Sequence, residues 1–387
     1  MTELETQPYI IPNEPLRFRG EDIKTLLAFC QNFEVSDITI QTNAPVVAEI
    51  FGRLHYVTKR KLNNSEVGDL INYIYGPNGT THILSGNDLD TNYEFRPNRM
   101  NRFRYRVNAT GCLVEGHQGI QITMRTIPTD PPLISSMNLP DELIKNIDPA
   151  DGCVYITGAT GSGKSTLLAS TIRYIAEQPD CNRKILTYES PIEFVYDNVQ
   201  SESAIISQSE IPKNLESFAS GVRNALRRKP RLILVGESRD YETINACLEA
   251  ALTGHPVYTT VHSNGVAETV RRLVGSFPRE ERRGKTIDII ETMRLIIWQK
   301  LVPTVDGKRV ALREYLVFDD EIRDELLNHD FTEVTERTRA IVKRKKKTMY
   351  HDAQKKYKEG IISKETLNKL KRSDRGLEAD AKTKSDE

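Results

Sequence analysis

The sequence predicts an α/β protein: a mostly parallel sheet covered by helices on both faces, preceded by a smaller α+β domain. Three observations predict it. Short apolar or β-branched runs at 153–157, 184–188, 232–235 and 257–261 alternate with helical patterns at 164–177, 241–252 and 267–274, as expected of a parallel sheet buried on both sides. Before residue 135 the strand signals instead alternate with period two, the mark of a sheet with one buried face. The length of 387 residues, at about 100–200 residues per domain, suggests two domains.

Taken in order, residues 1–20 are Pro-rich and polar and read as an N-terminal arm. Residues 21–135 form the α+β domain. Ile23, Leu26, Leu27 and Cys30 share one helical face. The runs 37–41 and 46–51 read as strands separated by the turn Thr42-Asn-Ala-Pro45, with Gly52-Arg53 as a hairpin candidate. The runs 102–108 and 119–126 alternate in the same way. Ile127-Pro-Thr-Asp-Pro-Pro132 holds three prolines and reads as a stiff linker, since it can continue neither a helix nor a central strand. Residues 136–330 carry the alternating strands and helices. Residues 331–387 are highly charged, with a basic run at Lys343-Arg-Lys-Lys-Lys347. There Gly360 stops one helix, Ser363 caps a last short one, and 373–387 read as disordered.

Composition excludes several classes. No stretch reaches the roughly 18–20 apolar residues of a membrane span. Residues 1–17 have neither a basic n-region nor a long apolar segment, so they do not read as a signal peptide. The five cysteines are scattered, without CxxC or metal-ligand spacing, which points to a reducing cytosol rather than a disulfide framework or zinc module. Lys+Arg and Asp+Glu balance at 54 each, so no net field steers the chain to nucleic acid or anionic lipid. The basic run reads either as a solvated helix face or as a docking patch for a partner or membrane.

The chemistry lies in Gly158-Ala-Thr-Gly-Ser-Gly-Lys-Ser165, a GxxxxGK[ST] phosphate loop placed between a predicted strand and a predicted helix. Its cofactor-binding residues are Gly158, Ala159, Thr160, Gly161, Ser162, Gly163, Lys164 and Ser165. Glycines let backbone N–H groups converge on phosphate oxygens, and the helix N-terminus adds positive potential. Lys164 is expected to neutralise the β/γ-phosphates of a nucleotide and Ser165 to take one Mg2+ position, which alone does not distinguish a kinase, a GTPase or a motor. Leu232-Ile-Leu-Val-Gly-Glu237 is an apolar strand ending in a carboxylate. That acid is placed to activate the attacking water. Tyr188-Glu-Ser-Pro-Ile-Glu193 offers Glu189 and Glu193 for Mg2+-side or nucleotide contacts. By spacing alone, a solvated loop fits these two equally. Thr260-Val-His262-Ser-Asn264 places His262 at a strand end, where a structural histidine is the alternative to a γ-phosphate sensor.

The set in this order resembles the hexameric secretion ATPases of the PilT/GspE class: a phosphate loop, E-x-P-I-E, I-L-V-G-E-x-R-D, and T-G-H followed by T-x-H-x-N. Further matches at Ser36-Asp-Ile-Thr-Ile, Ala44-Pro, Phe103-Arg-Tyr-Arg-Val-Asn108 and Met124-Arg-Thr-Ile-Pro128 are similar to the DotB-like branch of type IVB (Dot/Icm) secretion and of conjugation systems (the plasmid counterpart is TraJ). The resemblance implies a RecA-like P-loop ATPase domain behind a PAS-like domain. It makes 158–165 the Walker A loop, Glu189 and Glu193 the acidic box, Glu237 the Walker B catalytic glutamate and His262 the histidine box. It also makes Arg104, Arg106 and Arg125 arginines that reach the nucleotide phosphates. Read from the residues alone, Arg102, Arg104 and Arg106 would be a solvent-facing strand edge. The resemblance further implies ATP and Mg2+, a homo-hexamer, a cytoplasmic location with peripheral recruitment to the inner membrane, and secretion-channel partners, with no direct nucleic-acid binding.

The sequence departs from that pattern in places. Ser190 replaces the Asp of E-D-P, and Lys229 and Arg231 flank the Pro where acids are usual. The tetracysteine module is absent. Asp319-Asp-Glu-Ile-Arg-Asp-Glu-Leu326 stands where pilus retraction motors carry A-I-R-N-L-I-R-E-G-K. The missing tetracysteine module points to the PilT/DotB side, and the 319–326 segment favours an ATPase of type IVB secretion or conjugation over a retraction motor. The basic run speaks for a RecA-like nucleic-acid motor, but the zero net charge and the lack of an aromatic-plus-basic stripe rank it below both.

Overall fold

The computed structural model describes residues 9–98, 101–127 and 130–371. The chain divides into two compact units, Met1–Thr129 and Asp130–Glu387. Residues 128 and 129 of the expected linker lie outside the described residues, as do 1–8 of the expected arm and the expected disordered end.

The first unit contains α1 (Asp22–Cys30), β1 (Val35–Gln41), β2 (Val47–Ile50), β3 (Arg53–Tyr56), α2 (Asn64–Tyr75), α3 (Gly79–Leu84), β4 (Leu89–Phe95), β5 (Phe103–Val114) and β6 (His117–Ile127). The strands form one antiparallel sheet in the order β3-β2-β1-β6-β5-β4. Two hairpins turn on two residues each, Phe51-Gly52 and Glu115-Gly116, with both φ angles positive, the twist that two-residue hairpins require. Ile23, Leu26, Leu27 and Cys30 of α1 are all buried, as are Tyr105, Val107 and Ala109 of β5. Residues 9–20 are not an arm. Ile11 and Phe18 are buried in this core, and the Ile11 N–H donates to the Val57 carbonyl at 2.8 Å. Two large apolar side chains among the prolines outweigh the polar composition.

One buried carboxylate ties this unit together. Glu66, 1% exposed, completes a capping box with Asn63 at the start of α2. It also accepts from the Phe18 N–H at 2.8 Å and pairs with Arg60. Burial pushes the carboxyl up. The Arg60 hydrogen bond, the Asn63 and Phe18 N–H donors and the Arg60 charge outweigh burial and bring it down to about 2.

The second unit contains α4 (Asp141–Asn146), β7 (Gly152–Thr157), α5 (Lys164–Ala176), β8 (Lys184–Glu189), β9 (Ile205–Glu210), α6 (Phe218–Ala225), β10 (Leu232–Val235), α7 (Tyr241–Leu252), β11 (Pro256–Val261), α8 (Val266–Gly275), α9 (Arg282–Thr292), β12 (Met293–Pro303), β13 (Arg309–Val317), α10 (Asp320–Leu327), α11 (Val334–Arg344) and α12 (Met349–Lys358). Its sheet runs β13-β12-β7-β11-β10-β8-β9. All neighbours are parallel except the antiparallel pair β12–β13. Every residue of β7, β10 and β11 is buried. Alternate side chains feed two cores, Cys153 and Tyr155 on one face, Val154 and Ile156 on the other with α5.

The charged C-terminal region is built into this unit. Val334, Ile341 and Val342 of α11 enter the core shared with β7 and β10, while Met349 and Ala353 of α12 pack with Val302 and Leu312. The basic run closes α11, where cations meet the negative end of the helix. Arg344 pairs with Glu325 at 2.6 Å and Lys345 with Asp319 at 3.4 Å, and Lys347 pairs with Glu142. Arg344, Lys345 and Lys347 are thus paired with acids of this unit, while the run stays largely at the surface. Gly360 has φ +71°, and Ser363 Oγ accepts from the Thr366 N–H at 3.2 Å, the stop and cap expected from the sequence.

Candidate active site

Parallel strands place all their C-terminal ends on one edge of a sheet, and ligands of open α/β sheets bind there. Four of those ends carry the singled-out residues, on consecutive strands. The phosphate loop follows β7, His262 follows β11, Glu237 follows β10, and Glu189 ends β8. Neighbouring strands lie about 4.8 Å apart, so the row spans about 14 Å. Register sets the level of each end. Thr157 pairs with Val261, and Val235 with both Thr259 and Tyr188, which leaves the four groups within two residues of one line. Main-chain bonds continue past the strands and fix the loops. Gly236 N–H donates to Tyr188 O at 2.7 Å, Ser238 N–H to Thr260 O at 2.9 Å, and Gly158 N–H to Val261 O at 3.3 Å.

The loop fits an anion. Gly158 has φ +146°, and a Cβ there would lie 2.4 Å from the Gln299 carbonyl. Any side chain would force the loop off β12. Ala159, Thr160 and Gly161 form its exposed tip. Ser162 Oγ is buried with no hydrogen-bond partner, an orphaned donor that a phosphate oxygen would satisfy. Lys164 is buried, and its Nζ donates to the carbonyls of Gly158 at 2.9 Å and Ala159 at 2.8 Å. Burial pushes its ammonium below the ordinary value, against the upward pull of Glu237 and Glu193. Glu193 is thereby placed in the field of Lys164. Ser165 follows on the first turn of α5, half-buried.

Glu237 stands between two cationic or titratable neighbours, His262 Nε2 at 3.5 Å from one oxygen and Arg239 at 3.5 Å from the other. Burial, followed by the Lys164 charge, pushes His262 below its ordinary value, and Arg272 and Arg239 add to the shift against Glu237. Glu189 Oε1 accepts from Thr187 Oγ1 at 2.6 Å and from Gln208 Nε2 at 3.0 Å, so β8 and β9 both hold it. Among the described residues no three His, Cys, Asp or Glu side chains converge on a metal-sized site. Mg2+ takes one or two protein oxygens and completes its shell with phosphate and water, a demand that Ser165 and one nearby acid suit.

Arg104, Arg106 and Arg125 belong to the first unit. Arg106 faces Arg125 across the β5–β6 register. Each has an acidic neighbour: Arg104 with Glu94 at 3.6 Å, Arg106 with Asp90 at 2.7 Å, Arg125 with Asp37 at 2.8 Å. β5 lies between β4 and β6, so these arginines do not form a sheet edge.

Residues 133–372 match the family model described as type II/IV secretion system protein. The chain belongs to that family. This secretion-system chain is 33% identical over 303 residues to the type IV pilus retraction ATPase PilT of Pseudomonas aeruginosa, covering 78% of this chain and 84% of that protein. Among solved structures, the ATPase DotB of Legionella pneumophila is 63% identical, with a TM-score of 0.82 and coverage of 94% of this chain and 100% of that one. The pilus retraction motor PilT with bound ADP is 28% identical, with a TM-score of 0.77 and coverage of 91% and 96%. The chain thus has the two-domain fold with a RecA-like half and is an ATPase.

The sequence reading missed several residues that shape the site. Gln299 of β12 and Arg313 of β13 buttress the phosphate loop. Glu314 accepts from the Val266 N–H at 2.9 Å and so holds the start of α8 behind His262. Arg339 of α11 pairs with Glu268 on that helix at 2.7 Å. The available signal was a Gln inside the apolar run 295–302 and an Arg and Glu inside 310–317, since polar residues in buried strands need partners.

Proposed function

We propose that this chain is a cytoplasmic ATPase that assembles as a homo-hexamer, is recruited peripherally to the inner membrane, and hydrolyses ATP with Mg2+ to power a type IVB secretion or conjugation apparatus. The observation that carries this reading is the 63% identity to the DotB ATPase over the whole of that chain. The retention of identity throughout favours a shared load as well as a shared engine.

In this reading Lys164 and the loop N–H groups hold the β/γ-phosphates, and Ser165 with Glu189 supplies the protein oxygens for Mg2+, whose charge would offset that building on the phosphates. Glu237 orients and deprotonates the attacking water. His262, 3.5 Å from Glu237, reports the γ-phosphate to that acid. Glu193 tunes the field at Lys164. Arg104, Arg106 and Arg125 supply positive charge to the transition state, so that turnover depends on the first unit.

A second reading, pilus retraction, draws on the 33% identity to PilT. Chromosomal Glu237→Gln in the source cell separates the two. The type IVB reading expects loss of protein export or DNA transfer with surface motility intact. Loss of pilus-driven motility with transfer intact would favour retraction.

A further inference from the structure

Gln299 and Arg313 sit behind the phosphate loop, 3% and 4% exposed. Gln299 Nε2 donates to the Ser162 carbonyl at 2.7 Å. Its Oε1 accepts from Arg313 Nε at 2.9 Å. Arginine has donors only, so the amide oxygen must face Arg313 and the NH2 must face Ser162. Arg313 is itself anchored. It donates to the carbonyls of Met137 at 2.8 Å and Asn138 at 3.3 Å, and its own N–H donates to Asp352 of α12 at 2.9 Å.

We propose that Gln299 and Arg313 are positioning residues for nucleotide binding. They pin the Ser162 carbonyl toward β12. The 162–163 peptide is planar and trans, so its N–H points the opposite way from its C=O. Pinning the carbonyl therefore turns the Gly163 N–H away from β12 and into the loop, as a phosphate oxygen requires. The Gln299 side chain also closes the back of the loop, since a Cβ on Gly163 would lie 2.9 Å from Nε2. The pair touches no reacting atom and acts through the loop's shape. The segment 137–138 thereby bears on the loop through the Arg313 guanidinium, and helix α12 holds the Arg313 main chain through Asp352.

The inference rests on the phosphate-loop assignment. Binding of ADP with Mg2+ by the unaltered full chain tests that assignment separately, before any variant is read. Gln299→Glu is close to isosteric. It keeps and strengthens the bond to Arg313 but sets an acceptor against the Ser162 carbonyl. Gln299→Met removes the donor without adding charge. We expect both to weaken ADP binding and raise the KM for ATP by about tenfold, the worth of about one net hydrogen bond. kcat should stay within about threefold, and the Glu variant should melt within a few degrees of the unaltered protein. Weakening should persist at high salt, which screens simple repulsion between a new carboxylate and phosphate. Unchanged binding in either folded variant, or weakening confined to Gln299→Glu at low salt, overturns the proposal. So does a fall in melting temperature with KM unmoved, or failure of both variants to fold, which leaves the pair a structural role alone.

Discussion

In the proposed mechanism, Lys164 is the residue on which nucleotide capture turns. Its ammonium already occupies the mouth of the loop, bonded to two of the loop's carbonyls, and gains little by moving unless phosphate charge replaces them. Lys164→Ala should therefore abolish measurable ATP binding by calorimetry while leaving the melting temperature within a few degrees, because its partners are carbonyls that tolerate loss of one donor. Sequence alone showed this residue and Glu237, since both lie in short motifs tied to a strand end. It could not show Thr187 and Gln208 holding Glu189, nor Arg239 facing Glu237. The Gln208 contact depends on β9 becoming the neighbour of β8, and strand order is not written in local periodicity, while the Thr187 and Arg239 contacts span two residues and depend on side-chain rotamers that a sequence does not display.

At the scale of elements, β7, β8, β10 and β11 were legible as continuous apolar runs bounded by helices. β9 was not. It is a half-exposed edge strand of sequence IISQSE with no fully buried residue. β12 was obscured because α9 ends at Thr292 and the strand begins at Met293, with no Gly or Pro between them to mark the change. In the first unit, the element to perturb is the start of α2. Glu66 is held at about 2, below its ordinary value of 4.5. A depressed carboxyl contributes stability that is complete above the unfolded value and is lost as pH falls through the folded one. The contribution is about 3 kcal/mol. The thermal transition of the first unit, followed in the full chain, should fall steeply between about pH 4.5 and 2. Glu66→Gln should destabilise the first unit at neutral pH by about 3 kcal/mol and flatten the acid limb. An acid limb unchanged in the variant would mean that other carboxylates carry it.

For the whole molecule, the question is whether the first unit contributes to turnover, as the proposed arginine roles require. Arg104 is a poor probe, because at 4% exposure truncating it leaves a void in the packed sheet and disturbs the fold. Arg125, with a side chain 68% exposed, costs within about 0.5 kcal/mol to truncate. Arg125→Ala should keep the melting temperature and lower kcat by at least about tenfold. Full activity in that variant would remove Arg125 from the chemistry. Native mass measured with and without ATP should show a six-chain species. A species that stays monomeric in both conditions would contradict the ring. The basic run at 343–347 is also readable only at this scale. Its apparent surplus charge is answered by Glu325, Asp319 and Glu142, acids that lie far from it in the sequence.

The central claim is that the acid ending β10 acts on a nucleotide held by the loop after β7, two strands away. Glu237→Gln, measured for both ADP binding and steady-state ATP turnover with Mg2+, tests it most directly. The account predicts binding within about threefold of the unaltered protein and turnover reduced by about a thousandfold or more. Turnover that survives this single-atom exchange would contradict it.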